Sequence, residues 1–229
     1  MKSTLKNMVL VLFTITAVSA FLVGVVNNIT KDTIKKTNDD AKLLALTEVL
    51  PAFEGEPLFE PDTMKIEGAQ IVATRVSNKA DGETVGYAVE THSLTKTGYA
   101  DKIYLMVGFL ADGTINEIKV LSQKETPGLG ANMVKPGNSL EKGLKGYKAS
   151  EVVFAVSKDD KRSGIDALSG ATISSRAYVD AVAAAYAAFL WTTGQREQFE
   201  AVGDMPGGAV SGATKTTEPA AQEGDVDNE

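Results

Sequence analysis

Between Met8 and Val26 the chain runs for nineteen residues without a charge. As a helix this run is roughly 28 Å long at about 1.5 Å per residue, which matches the hydrocarbon core of a bilayer. In lipid every backbone polar group must be satisfied within the segment, so a lone run of this kind crosses as a helix. Thr14, Thr16 and Ser19 fall inside it, and their hydroxyls can bond back to the helix. A cleaved signal peptide is the rival, because Val18-Ser19-Ala20 meets a small-residue cleavage rule. The apolar run continues through Phe21-Leu22-Val23-Gly24-Val25-Val26, however, and cleavage would leave a greasy new terminus. We therefore read a basic segment over 1–7 and a transmembrane helix over 8–28. Lys2 and Lys6 precede the span while Lys31, Lys35 and Lys36 follow it, so the positive-inside count assigns no side.

Residues 29–51 continue as a polar helical stalk. Leu43, Leu44, Leu46, Val49 and Leu50 gather at its end, and Pro51 stops it. At the other end, 201–229 is rich in Gly, Ala, Thr, Pro and acids with no apolar period, which reads as a disordered acidic tail. The folded domain is expected between them, over 52–200.

Strand-like runs follow one another there: Gln70–Val76, Val85–Thr91, Lys102–Leu110, Thr114–Ser122 and Glu151–Val156. Asp81-Gly82 and Asp112-Gly113 stand between paired runs, where Asp-Gly favours a tight hairpin turn. Asn138–Gly146 is helical or turn. Tyr178–Trp191 is Ala-rich with Val179, Val182, Tyr186, Phe189 and Leu190 at helical spacing, which predicts an amphipathic helix. The class is α+β, an antiparallel sheet packed with helices.

Composition excludes several chemistries. The net charge of -7, with no basic stripe, argues against a nucleic-acid surface. With no cysteine there is no disulfide, iron–sulfur cluster or zinc–thiolate site. The single histidine, His92, reads as a strand residue near a loop rather than a metal ligand. A chain of this kind that carries electrons must borrow an organic cofactor.

The residues that carry chemistry lie between the last strand run and the Ala-rich helix. Asp166-Ala167-Leu168-Ser169-Gly170-Ala171-Thr172-Ile173-Ser174-Ser175 is a small-residue turn opening a helix, with four hydroxyls around it. Free N–H groups and the positive end of the helix dipole make such a place suited to phosphate. The alternative is that Ser174 or Ser175 simply caps the helix. Arg162 and Arg176 flank the segment and could pair with a phosphate, or equally with Asp159 and Asp160.

Asp166-x-x-Ser169-Gly170-Ala171-Thr172 resembles the flavinylation motif of the FMN-binding domains in the RnfG and NqrC subunits of ion-translocating respiratory complexes. The earlier Lys124-Glu125-Thr126-Pro127-Gly128-Leu129-Gly130 resembles the loop that lies against the flavin in RnfG-like domains. The resemblance implies FMN joined to Thr172 by a phosphodiester bond, placed there by a flavin transferase of the ApbE type. It implies a relay of electrons with the other membrane subunits of an Rnf-type complex coupling ferredoxin and NAD chemistry to ion transport, with no substrate turned over by this chain alone. It also implies a bacterial inner membrane, with the domain on the periplasmic or outer side. Cofactor-binding residues are then expected at Thr172, Ser169, Gly170, Ala171, Ser174, Ser175, Asp166, Lys124, Glu125, Thr126, Gly128 and Leu129. Gly128 and Gly130 would let backbone approach a flat ring, Leu129 would cover one face, and Thr126 or Lys124 would bond it or bias its charge.

Two other readings stay open: an NqrC-like subunit of a sodium-translocating NADH:quinone reductase, and a stand-alone extracytoplasmic FMN-binding protein. A non-redox module on the same fold would be colourless even beside the transferase. The tail carries a decoy, Ser211-Gly212-Ala213-Thr214, but Gly208 stands where the motif has its acid. No amphipathic pattern follows Thr214, so it is expected to stay unmodified.

Overall fold

The computed structural model describes residues 5–53, 55–66 and 68–195. The expected tail and Thr214 lie outside them, as does most of the basic segment. The chain divides into two units between Leu44 and Ala45.

The first unit is helix α1 up to Leu44; the whole helix runs Leu5–Glu48, so apolar span and polar stalk are one element. It is the one helix among the described residues long and apolar enough to cross a membrane. Thr14 donates to the Leu10 carbonyl at 2.8 Å and Thr16 to that of Leu12 at 3.0 Å, which satisfies both hydroxyls without a partner.

The second unit holds a five-stranded sheet: β1 Pro57–Ile66, β2 Ala69–Asn78, β3 Thr84–His92, β4 Tyr104–Phe109 and β5 Ile115–Ser122. Each strand is antiparallel to its neighbour in sequence, in the order β1-β2-β3-β4-β5. Both Asp-Gly turns form as the sequence indicates. Gly82 and Gly113 adopt φ of +73° and +82°, and Asp81 and Asp112 each accept the N–H two residues on. His92 closes β3 with its ring edge-on to Tyr104.

Alternation along the strands gives the sheet two apolar faces. On one, Ile71, Ala73, Val89, Leu105, Val107 and Phe109 pack under helix α3, Thr172–Thr192. Phe189 of α3 stacks on Phe109 at 5.0 Å and meets Tyr87 edge-on at 5.2 Å. On the other, Val76, Ala88 and Met106 are covered by Ala45, Val49 and Leu50. Leu43 and Leu44 stay exposed. Gly108 lets that segment cross: a Cβ there would stand 1.9 Å from the Val49 carbonyl oxygen. Asn116 then bonds the same oxygen at 2.8 Å.

Two sequence expectations are corrected and one strand is added. Glu151–Val156 is not a strand: Ala149–Glu151 is a 3₁₀ turn and the rest is irregular. Its Val152, Phe154 and Val156 are buried, and its backbone bonds locally, as from Ala155 N–H to the Val153 carbonyl at 2.7 Å. Helix α3 starts at Thr172 rather than Tyr178, and it is buried almost all round rather than amphipathic. Strand β1 is an addition; Pro57, Pro61 and the charges of Glu60, Asp62 and Lys65 hide an edge strand that is mostly wet. Within Asn138–Gly146, Ser139–Lys142 forms one short helix, α2, capped by the Asn138 side chain on the N–H groups of Leu140 and Glu141.

Candidate functional site

Helix α3 places Thr172 as its first residue. Ala171 is the N-cap, and no side chain caps the first turn. The cap reading of the serines fails for a visible reason. Ser175 Oγ accepts from Leu168 N–H at 2.9 Å and donates to the Ala171 carbonyl at 2.8 Å, fixing the turn instead. Ser174 donates its hydroxyl to the Glu125 carboxylate. The N–H groups of the first turn therefore point outward with the positive end of the dipole.

Two buried carboxylates fix the walls around that helix start. Glu125, 5 % exposed, bridges Ser174 to the N–H of Ala100 at 3.1 Å, which joins the 124–130 loop to the loop before β4. Gly98 and Gly130 make the room: a Cβ on either would fall 2.4 and 2.8 Å from the nearest Glu125 atom. Asp180, about two turns further along α3 and 3 % exposed, accepts from the N–H groups of Leu94 at 2.6 Å, Thr95 at 3.0 Å and Lys96 at 3.2 Å, and from the Thr95 hydroxyl. The loop that carries Tyr99 is thereby held to the helix that carries Thr172.

Between these elements opens a cavity of about 470 Å³, lined by Tyr99, Glu125, Thr126, Leu129, Gly130, Lys158, Gly170, Ala171, Thr172, Ile173 and Ser174. One wall is apolar and wet, with Tyr99 74 % and Leu129 44 % exposed. Leu129 packs against Gly170, where a Cβ would approach its Cδ2 to 3.1 Å and φ is +70°. The other end is polar: Lys158 Nζ donates to Thr172 Oγ1 at 3.2 Å.

Charges near the helix start are mostly committed. Arg176 binds Asp159 at 2.5 Å, and that hydrogen bond holds the Asp159 carboxyl below its ordinary value. Arg162 binds Asp160 at 2.7 Å and brings that carboxyl down to about 2. Neither arginine lines the cavity, so the pairing with neighbouring aspartates wins over the phosphate role. Lys124 is tied to Asp101 at 2.7 Å and also stays outside.

Of the residues expected from sequence, Glu125, Thr126, Leu129, Gly170, Ala171, Thr172 and Ser174 line one cavity. Ser175 is buried behind it and Ser169 is exposed beside it. Gly128 does not line it; its φ of +81° makes the turn on which Asn132 closes with a 2.6 Å bond. Asp166 does not line it either, and accepts the Ser157 hydroxyl at 2.7 Å. Sequence reasoning missed Tyr99, Lys158 and Asp180. A lone acid inside an Ala-rich apolar helix is the signal that marks Asp180; nothing in the sequence marks the other two.

An FMN-binding domain family model matches residues 98–187, a stretch that contains the whole cavity lining. The chain is 33 % identical over 180 residues to the G subunit of the Na(+)-translocating ferredoxin:NAD(+) oxidoreductase complex of Acetobacterium woodii, covering 76 % of this chain and 86 % of that one. It is 30 % identical over 180 residues to the G subunit of the ion-translocating oxidoreductase complex of Methanosarcina acetivorans, covering 78 % and 90 %. The corresponding protein of a Vibrio cholerae strain is 29 % identical over 192 residues, covering 80 % and 88 %.

Proposed function

The chain belongs to the RnfG family, the G subunits of ion-translocating oxidoreductase complexes, and from that premise we propose that it is the membrane-anchored protein that relays electrons through an FMN tethered to Thr172. The cavity fits that group by its chemistry: an apolar wall of Tyr99 and Leu129 suits a flat ring, and an uncapped helix start with Lys158 suits a phosphate. When bound, FMN supplies one- and two-electron chemistry to a chain without cysteine. The protein's part is to hold the ring, set its surroundings and exclude other reactions.

The observation that carries the tether is the selection among the four hydroxyls at the start of α3. Ser174 and Ser175 are buried, at 2 % and 0 % exposure, and already donate to Glu125 and Ala171. Ser169 is exposed but does not line the cavity. Thr172 has its hydroxyl at the cavity end beside a cation. A phosphodiester there keeps one negative charge at the helix start, where the dipole favours it. A flavin transferase of the ApbE type is the partner that makes the bond. The remaining partners are the membrane subunits of an Rnf-type complex, with α1 as the anchor and the domain on the outer side of a bacterial inner membrane.

The test is co-expression of the full chain with the transferase, followed by intact mass and flavin fluorescence on a denaturing gel. Thr172→Ala loses the covalent flavin and Thr214→Ala keeps it. Fluorescence that survives the first change sinks the assignment.

A further inference from the structure

The acid that opens the motif, Asp166, lies outside the cavity, and its contact points elsewhere. It accepts the Ser157 hydroxyl at 2.7 Å, while Ser157 N–H bonds the Ile165 carbonyl at 2.8 Å. Those two bonds pin the turn at 157 to the extended segment that leads into the motif. The next residue is Lys158, whose amine reaches Thr172 Oγ1 at 3.2 Å. The four residues form one line: Asp166 to Ser157, along the backbone to Lys158, and across to Thr172.

The surrounding cations sharpen that line. Arg176 is held by Asp159, Arg162 by Asp160 and Lys124 by Asp101, and none of the three lines the cavity. Among the described residues Lys158 is the one cationic side chain in the lining, and its bond is to a neutral hydroxyl rather than a carboxylate. An ammonium beside the atom that would bear a phosphodiester is a point charge suited to its remaining negative oxygen.

We propose that Lys158 is the residue that pairs with the phosphodiester on Thr172, and that Asp166 is a positioning residue that acts on this cation through Ser157. The inference rests on the Thr172 tether proposed above. It gives the motif acid a role within the folded subunit, independent of any contact with the transferase. Ser157 and Lys158 become parts of the site although they lie outside the seven-residue pattern that the acid opens.

The experiment uses the full chain in detergent, loaded by the co-expressed transferase, with two readouts: the rate of flavin incorporation by intact mass, and the ³¹P resonance of the loaded protein. Lys158→Gln slows incorporation about fivefold, the effect of losing one unit charge at about 4 Å in a watery site. The same change moves the ³¹P resonance, and Lys158→Arg restores rate and resonance most of the way. Ser157→Ala and Asp166→Asn move the resonance in the same direction, and the double variant moves it no further than either alone. Lys161→Gln, a neighbouring exposed lysine, moves neither readout. Should Lys158→Gln fail to load, Ser157→Ala and Lys158→Arg carry the measurement. A resonance unmoved by Lys158→Gln, Ser157→Ala and Asp166→Asn overturns the inference while leaving the tether standing. A wild-type chain that carries no covalent phosphorus on Thr172 overturns the reading beneath it.

Discussion

Asp180 is the residue whose removal tests most directly how the site is held. Its carboxylate, 3 % exposed, takes three backbone N–H groups and one hydroxyl from a loop 84 to 86 residues earlier in the chain. Bonds to a charged group contribute about 1.5–3 kcal/mol each, but their sum overstates the net effect because burying the carboxylate itself costs several kcal/mol. What decides the cost of Asp180→Ala is the donors left behind. Thr95 is exposed, so water can replace the carboxylate at its N–H and hydroxyl, whereas Leu94 and Lys96 are partly covered. Two stranded donors at about 1–3 kcal/mol each, less some recovery by water, give a destabilisation of about 3 kcal/mol. For a domain of this size that is a fall in Tm of roughly 6–12 °C. Asp180→Asn keeps one acceptor oxygen but turns an amide toward the other donors, and falls between. The assay is thermal unfolding of the full chain in detergent by circular dichroism, with amide hydrogen exchange at Leu94, Thr95 and Lys96. Exchange there accelerates more than at Ile103, whose N–H donates to the Ser93 hydroxyl at 3.3 Å. If Asp180→Ala melts within about 2 °C of wild type, a shift worth less than about 1 kcal/mol, the carboxylate is not what fastens this loop to α3, and the account of how Tyr99 is positioned is wrong.

Three further outcomes follow from other parts of the molecule. Gly108→Ala forces a Cβ to within 1.9 Å of the Val49 carbonyl oxygen, so the segment bearing Val49 and Leu50 must lift off the sheet; we expect a loss of about 3 kcal/mol, at the upper end for overpacking, read as a lower unfolding midpoint. Gly128→Ala, at φ +81° with open space around it, is the comparison and should cost about 1 kcal/mol. Arg176→Gln removes the hydrogen bond that holds the Asp159 carboxyl below 3.8. A depressed carboxyl contributes stability above its ordinary value and loses it as pH falls through the lowered one. At pH 7 the variant is therefore less stable by less than about 1 kcal/mol, and the gap to wild type closes below pH 3.8 rather than between pH 7 and 5. A gap that persists in full at about pH 2 contradicts this.

Much of the fold is legible because its signals are local. Alternating runs and Asp-Gly pairs locate β2 to β5 within two residues, since period-two burial and a positive φ at glycine are written in the residues themselves. Glu151–Val156 misleads because a short apolar run is satisfied equally by burial under a helix and by a ladder, and periodicity cannot separate the two. β1 hides because an edge strand exposed over half its length has no reason to alternate cleanly. The site divides the same way. The glycines and hydroxyls around Thr172 lie within ten residues and show as a pattern, while Lys158 and Tyr99 join them only through bonds that the folded chain closes. For Arg162 and Arg176 the sequence left two pairings open. Proximity in sequence offered them to a phosphate, yet aspartates two and seventeen residues away reach them first.

If Thr172 bears the cofactor as proposed above, its place as the first residue of α3 bears on how tightly the cavity must grip. A cofactor bonded there hangs from the stiff end of a helix that is buried along nearly its whole length, by a leash only a few bonds long. Its effective concentration in the cavity is then set by that leash and not by the free cofactor outside. Retention and fit become separate tasks. Under that proposal the lining would be released from the demand for high affinity in every oxidation state, and walls as open as those of Tyr99 and Leu129 would suffice. Changes at those residues would then act on the energy and speed of electron exchange rather than on retention of the cofactor.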